Sequence, residues 1–344
     1  MPSITSLLGV NLPVVQAPMA GVQDEALAIA VAKAGGLGSM PCALLDPVRL
    51  EAALQRFVAL PVPINLNFFC HDMAEPDTAE MARWRDVLTP YYRELGVEPP
   101  QPSTAGARRP IDALTVDVLE RFSPRVVSFH FGLPAPHLLA RIKAWGATVL
   151  ASATTVEEGL WLEQHGADVV IAQGIEAGGH RGHFLSNDLS GQMTTRELVG
   201  ALSKVVGLPV VAAGGIGTRA DVEALLVAGA SAVQAGTAFL LCREATTTPL
   251  HRRALQQPGR PAEITNIFTG RPARGLVNRL MRDLGSMSAL PPTFPWASQA
   301  LAPLRVAAEA RGLDDFTPLW SGGRPGTFPD SDAAQVTSAL AGYG

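Results

Sequence analysis

Glycines flank one histidine of this sequence, in the run Gly178-Gly179-His180-Arg181-Gly182. Glycine lets a backbone approach a ligand closely, and the imidazole of histidine changes protonation near neutral pH, which suits proton transfer. The pattern therefore predicts His180 as a catalytic acid or base. A structural histidine with satisfied hydrogen bonds is the alternative interpretation.

His130 is the second candidate for proton transfer, in the run Ser128-Phe129-His130-Phe131-Gly132. Side chains alternate between the two faces of a strand, so His130 is expected to face away from Phe129 and Phe131 and toward a site. We predict a catalytic role for His130. A place in the core is the equal alternative.

Glycines and amide side chains follow several short apolar runs. Backbone N–H groups at glycine-rich turns bind phosphate, and amide side chains exchange hydrogen bonds with a flat polar heterocycle. The candidates are Gly214, Gly215, Gly236 and Thr237 for a phosphate, Asn67, Gln173 and Gln234 for a ring, and Met19 as an apolar platform. Flavin mononucleotide (FMN) contains both a phosphate and a flat polar ring system. Glycines that only permit tight turns are the alternative.

The run Gly215-Ile216-Gly217-Thr218-Arg219-Ala220 matches the glycine fingerprint of dinucleotide-binding domains. That fingerprint also requires an acidic residue farther along the chain to bind a ribose, and none follows at the expected distance. The sequence therefore does not favour a nicotinamide-binding domain of the Rossmann type.

Short runs rich in valine and isoleucine alternate with amphipathic segments, which indicates repeated βα units. The predicted strands are Val14–Met19, Leu37–Met40, Val62–Phe69, Val126–Phe131, Thr148–Ser152, Asp168–Gln173, Val210–Ala213 and Ala232–Gly236. Eight such units predict an α/β fold, a TIM-like (β/α)8 barrel, with the site at the carboxyl ends of the strands. A doubly wound open sheet is the alternative.

The length of the chain exceeds that of a minimal barrel. We expect residues 1–242 to form the barrel, with insertions at 70–124 and 174–208. Long loops of this kind are usually functional. Residues 243–344 contain little βα periodicity and many prolines and glycines, which predicts a second, smaller, mainly helical or irregular domain on the substrate side.

The composition of the 344 residues, with 47% hydrophobic residues and a net charge of −4, predicts a folded globular protein. The absence of a basic run argues against nucleic acid as a partner, and no apolar stretch reaches the length of a membrane span. Without a secretory signal, we expect a cytoplasmic protein. The oligomeric state is open, with a homodimer as one option. No metal site or disulfide framework is expected from Cys42, Cys70 and Cys242.

Several of these motifs together resemble the nitronate monooxygenase family, formerly called 2-nitropropane dioxygenases. The resemblance is carried by Gln16-Ala17-Pro18-Met19, Asn67, the run 173–182, Ala212-Ala213-Gly214-Gly215-Ile216, Gln234-Ala235-Gly236-Thr237 and the run 270–278. The histidine-containing runs are most similar to class I members of the family.

The resemblance implies an FMN-binding barrel in which His180 is the catalytic histidine. Together with the candidates above, the expected cofactor contacts include Ala20, Gly178, Gly179, Ala213 and Ala235. The implied reaction is oxidation of alkyl nitronates, such as propionate 3-nitronate, by O2 to a carbonyl compound and nitrite or nitrate. The implied role is detoxification, without NAD(P)H.

The tail departs from the family at Gly323, where many relatives have glutamine after a Trp-x-Gly motif, so its contacts with the site need not follow the family. An aromatic lining of the substrate mouth is expected from Phe131, Phe294 or Trp296. The nearest competing function is an NAD(P)H-dependent FMN reductase acting on quinones or enoyl thioesters. A barrel that only binds a phosphorylated metabolite is a more distant competitor.

Overall fold

A closed parallel barrel forms the centre of the molecule. The computed structural model describes residues 3–73, 75–101 and 108–342. Within these residues, eight strands build the barrel: β1 (Val14–Gln16), β2 (Gly38–Pro41), β3 (Ile64–Phe69), β4 (Val126–His130), β5 (Thr148–Ala153), β6 (Val169–Gln173), β8 (Val210–Ala213) and β9 (Ala232–Ala235). Each lies within or beside a predicted strand, so the prediction of eight βα units is confirmed.

The order of the strands around the sheet is β1-β9-β8-β6-β5-β4-β3-β2, and all neighbouring pairs are parallel. The two end strands meet through a parallel bridge between Val15 and Leu37, with Leu37 N–H donating to Val14 O at 2.9 Å. The sheet therefore closes on itself, and the open-sheet alternative is wrong.

Side-chain caps start all of the described α-helices except those that begin at Pro136 and Ala297. The described helices are α1 (Ile4–Leu8), α2 (Glu25–Lys33), α3 (Pro47–Val58), α4 (Thr78–Leu95), α5 (Ala113–Phe122), α6 (Pro136–Ala144), α7 (Val156–Gln164), α8 (Thr195–Val205), α9 (Arg219–Val227), α10 (Pro249–Gln256), α11 (Arg279–Leu284), α12 (Ala297–Ala310) and α13 (Ala333–Ala341). A 3-10 turn, Thr237–Phe239, follows β9. Thr194 and Thr218 cap α8 and α9 with reciprocal hydrogen bonds.

The insertion at 70–124 packs against the later chain. Helix α4 contacts α12, where Trp84 Nε1 donates to Ala297 O at 3.1 Å and the Tyr92 hydroxyl donates to Ala300 O at 2.6 Å. Their buried apolar residues form a core separate from that of the barrel. The last helix, α13, instead packs on α2 and α9 and shares the barrel core. The division of the chain at residue 242 stays a prediction.

A small antiparallel sheet lies beside the mouth of the barrel, and the sequence did not predict it. It contains β7 (Gly179–His180), β11 (Ala273–Leu276) and β10 (Ala262–Thr265). Strand β7 comes from the 174–208 insertion, whereas β10 and β11 come from the later chain. This sheet joins the two parts of the molecule at the candidate site. None of the described helices has the length and apolar character that crossing a membrane requires.

Candidate active site

A cavity of about 1350 Å³, including its open mouth, lies at the carboxyl ends of the barrel strands. Its wall contains all thirteen residues predicted for the cofactor, together with His130 and His180. The structure therefore brings the whole predicted set together in one place. Active sites of (β/α)8 enzymes lie at this end of the barrel because the loops there vary freely while the strands hold them in position.

Glycine backbone forms one end of the cavity, after β8 and β9. Gly214 and Gly215 have φ values of +123° and +69°, which side-chain-bearing residues rarely adopt. Among the described residues, the N–H groups of Gly215, Gly236 and Thr237 have no hydrogen-bond acceptor. Unpaired N–H groups at the start of a helical turn attract an anion, so this end is suited to a phosphate.

Amide side chains line the middle of the cavity. Gln234 Oε1 is buried and has no partner among the described residues. Asn67 Nδ2 donates to Ser128 Oγ at 2.9 Å, which orients its amide on the wall. A buried polar atom without a partner is costly, so Gln234 fits a ligand that donates a hydrogen bond to it.

His180 lies in strand β7, opposite Ala273 of β11. Its Nε2 lies 3.0 Å from Thr269 Oγ1. The Thr269 hydroxyl donates to Arg271 O at 3.2 Å, so it accepts from His180 Nε2–H. We assign this tautomer from the hydrogen bonds. It leaves Nδ1 as the nitrogen with a free lone pair.

The surroundings of His180 hold its ring neutral. Burial lowers the pKa of His180 well below its usual value, and the positive charges of Arg108 and Arg271 lower it further. A neutral imidazole donates from one nitrogen and accepts at the other. A bound anion would oppose these cations and favour the protonated ring. His180 is thus suited to accept a proton beside an anionic ligand.

Aromatic rings surround the imidazole of His180. The ring centroids of Phe294 and Trp320 lie 5.4 and 5.5 Å from its own, and that of Phe131 lies 6.2 Å away. Phe131 and Phe294 form a buried cluster with Phe69. None of the residues expected to line the mouth, Phe131, Phe294 and Trp296, lies on the cavity wall, where the aromatic residues are Phe69 and Trp320. Trp296 is buried at the start of α12, and Trp320 on the cavity wall was missed from the sequence.

Both ring nitrogens of His130 contact protein groups. Nε2 donates to the carbonyl oxygen of His180 at 3.1 Å, and Nδ1 accepts from Ser152 Oγ at 3.0 Å. Burial lowers the pKa of His130 to about 3, so the ring is neutral. Gln173 Nε2 donates to the same carbonyl oxygen at 2.9 Å. The catalytic role predicted for His130 stays untested, and these contacts favour a role in positioning β7.

Two buried glutamines that received no role from the sequence hold the loop after β1. Gln23 Oε1 accepts from the Met19 N–H at 2.7 Å and from Gln16 Nε2 at 2.8 Å. Gln16 Oε1 accepts from the Ser39 N–H of β2 at 3.0 Å. These bonds fix Met19 on the cavity wall. A glutamine inside an apolar strand, as at position 16, is the sequence signal that could have revealed them.

The chain near residue 322 closes the glycine-rich end of the cavity, which is suited to a phosphate. The Gly322 N–H donates to Thr237 Oγ1 at 2.8 Å, and the Gly323 N–H donates to Glu176 O at 3.0 Å. Arg324 also lies on the wall and forms an ion pair with Asp221 at 3.2 Å. The tail therefore contacts the site through backbone groups, for which a glutamine side chain at position 323 is unnecessary.

Comparison with known proteins agrees with this arrangement. The family model of nitronate monooxygenase matches residues 2–330. A nitronate monooxygenase of Pseudomonas aeruginosa is 40% identical over 340 residues, covering 98% of this chain and 97% of that protein. One from Paraburkholderia phytofirmans is 38% identical over 343 residues, covering 98% and 93%. The solved structure of a nitroalkane oxidase from Streptomyces ansochromogenes has a TM-score of 0.88 at 35% identity, covering 99% and 97%. This chain is an oxidoreductase that belongs to the nitronate monooxygenase family.

Proposed function

We propose that this protein is an FMN-dependent nitronate monooxygenase, which oxidises alkyl nitronates with O2 to a carbonyl compound and nitrite or nitrate. The observation that carries the proposal is one cavity that combines glycine N–H groups without acceptors, a buried amide oxygen without a partner, and a neutral histidine. The biological role that we propose is detoxification of small nitro compounds in the cytoplasm.

The residues of the cavity fit FMN. The N–H groups of Gly215, Gly236 and Thr237 would hold its phosphate, and Gln234 Oε1 would accept a hydrogen bond from its ring system. Met19 would supply apolar contact. When bound, the flavin supplies the electron-transfer chemistry, and the protein supplies binding and orientation.

His180 performs the proton chemistry in this proposal. A nitronate is an anion, so the ring can hydrogen-bond it, and the nearby cations favour its binding. When a neutral nitroalkane is offered instead, His180 Nδ1 can accept the proton from the carbon that carries the nitro group. Thr269 Oγ1 lies 3.0 Å from Nε2 and accepts a hydrogen bond from Nε2–H. Nδ1 is therefore free to accept this proton.

Aerobic turnover with a nitronate as the only reductant tests the proposal. We expect the purified holoenzyme to consume O2 with propionate 3-nitronate and to release nitrite or nitrate and an aldehyde, with no nicotinamide added. A protein that turns over only with NADH or NADPH and a quinone or enoyl thioester would instead be the reductase. A colourless protein that takes up no FMN would contradict both flavoenzyme assignments.

A further inference from the structure

Arg108 brings an unpaired positive charge to the wall of the active-site cavity. Among the described residues, no carboxylate forms an ion pair with its guanidinium group, and the cavity wall contains no aspartate or glutamate. Arg324, the other arginine on the wall, is already paired with Asp221. A partly buried guanidinium without a partner is costly to keep, because it loses hydration and gains no compensating charge.

The backbone that carries Arg108 is fixed to the rim of the barrel. The Arg109 N–H donates to Ala43 O at 3.4 Å, Pro110 forms a parallel bridge with Phe69 at the end of β3, and the Ile111 N–H donates to Phe69 O at 2.8 Å. Ala43 and Phe69 both lie on the cavity wall. The segment that delivers Arg108 is therefore attached to residues of the site itself.

A second arginine strengthens the positive field near His180. The guanidinium carbon of Arg271 lies 4.0 Å from the centre of the Phe131 ring, and Arg271 Nη2 donates to His183 O. Its Nε is buried without a partner, and no described carboxylate forms an ion pair with it. Arg271 is absent from the cavity wall, so among the described residues Arg108 is the arginine that lies on this wall without an ion pair.

We propose that Arg108 binds a carboxylate at the far end of the substrate, so that nitronates with a carboxylate tail are preferred over nitronates with an alkyl tail. The proposal rests on the proposed function, because it assigns one end of that substrate to His180. A guanidinium can bind a carboxylate through two parallel hydrogen bonds, which fixes orientation as well as charge. Arg108 is thereby a specificity-determining residue.

Substitution Arg108→Gln tests the inference with two substrates of equal carbon number. We expect kcat/KM for propionate 3-nitronate to fall about 10- to 100-fold, mostly through KM, because a charged hydrogen bond is lost. For propane 1-nitronate we expect a change of less than about 3-fold, because this substrate loses only the longer-range attraction between Arg108 and the nitronate charge and no direct hydrogen bond. Arg109→Gln is the matched control, because Arg109 is the exposed neighbour, and it should leave both values unchanged.

Succinate, which carries a carboxylate but no nitronate, gives a readout without turnover. Calorimetric titration of the FMN-loaded protein should detect succinate binding in the wild type and a loss of at least about 10-fold in affinity in Arg108→Gln. Equal losses for both nitronates, unchanged kinetics with propionate 3-nitronate, or loss of FMN from the variant would overturn the assignment. If succinate binds through Arg108 while neither nitronate is oxidised, the proposed function fails and the carboxylate site stands.

Discussion

Two histidines of the same cavity differ in what their ring nitrogens contact. His180 uses Nε2 on Thr269 and keeps Nδ1 free, whereas His130 uses both nitrogens on Ser152 and on the His180 carbonyl. Flanking glycines identified His180 in the sequence, and the alternation of side chains along a strand identified His130. Their hydrogen-bond partners come from distant parts of the chain, so the difference between the two roles could not be read there.

Removing the imidazole of His180 should separate cofactor binding from turnover. We expect His180→Ala to keep FMN and to lose about 100-fold or more in kcat with a neutral nitroalkane, because general-base catalysis is worth that much. Steady-state kinetics and the ratio of flavin to protein measure the two properties. His137→Ala, at an exposed position on α6, is the control. Wild-type rates on both nitroalkane and nitronate would eliminate His180 as the catalytic residue.

The positioning role of His130 predicts a graded response to substitution. His130→Gln retains an N–H donor for the His180 carbonyl, whereas His130→Ala retains none. We expect kcat to fall about 10-fold in the alanine variant, typical of a lost buried hydrogen bond, and to recover largely in the glutamine variant. Kinetics with a saturating nitronate give this comparison. If glutamine is as damaging as alanine, a proton-transfer role for His130 gains support instead.

Strands that follow one another closely in the sequence were predicted well, whereas pairings between distant segments were missed. The barrel strands follow from local βα periodicity. Strand β7 contains two residues and pairs with β11, which lies more than ninety residues later in the chain. The chain near Gly322 likewise reaches back to Glu176 and Thr237. Such contacts leave no periodic signal, because each involves only a few residues.

The close approach of Gly178 to this tail predicts sensitivity to a single methyl group. A Cβ at Gly178 would lie 2.5 Å from the Gly322 nitrogen and 2.6 Å from the Ser321 carbonyl carbon, both backbone atoms. Gly178→Ala should therefore displace the tail and weaken FMN binding by about 10-fold or more, since overpacking costs 1–3 kcal/mol. Fluorescence titration with FMN measures the affinity. Gly191→Ala should leave the affinity for FMN unchanged, because no atom lies within 4 Å of a Cβ added at that position. Equal FMN affinities in the two variants would contradict a contribution of the tail to FMN binding.

Buried, neutral histidines lie in several parts of the molecule. Burial lowers the pKa of His71, His183 and His251 to about 4. In the unfolded chain a histidine titrates near 6.5, so between these values the unfolded state binds a proton that the folded state does not. The free energy of unfolding should therefore decrease as the pH falls from about 6.5 toward 4.

His251 permits a test of this acid sensitivity outside the active site, because it lies in α10 and not on the cavity wall. Relative to its stability at pH 7, the wild type should lose about 2 kcal/mol through this residue by pH 5. His251→Gln should lose correspondingly less. Urea unfolding at the two pH values measures the difference, with His137→Gln as the exposed control. Identical pH dependence in wild type and His251→Gln would contradict the prediction.

Whether a nitronate reduces the bound flavin can be read from the visible spectrum of the holoenzyme without O2, after addition of propionate 3-nitronate, NADH or NADPH to separate samples. We expect the nitronate alone to abolish the absorption of oxidised flavin, and neither nicotinamide to do so at a comparable rate. Bleaching by NADH or NADPH, with an unchanged spectrum in the presence of the nitronate, would rule out nitronate oxidation and identify the protein as a nicotinamide-dependent reductase.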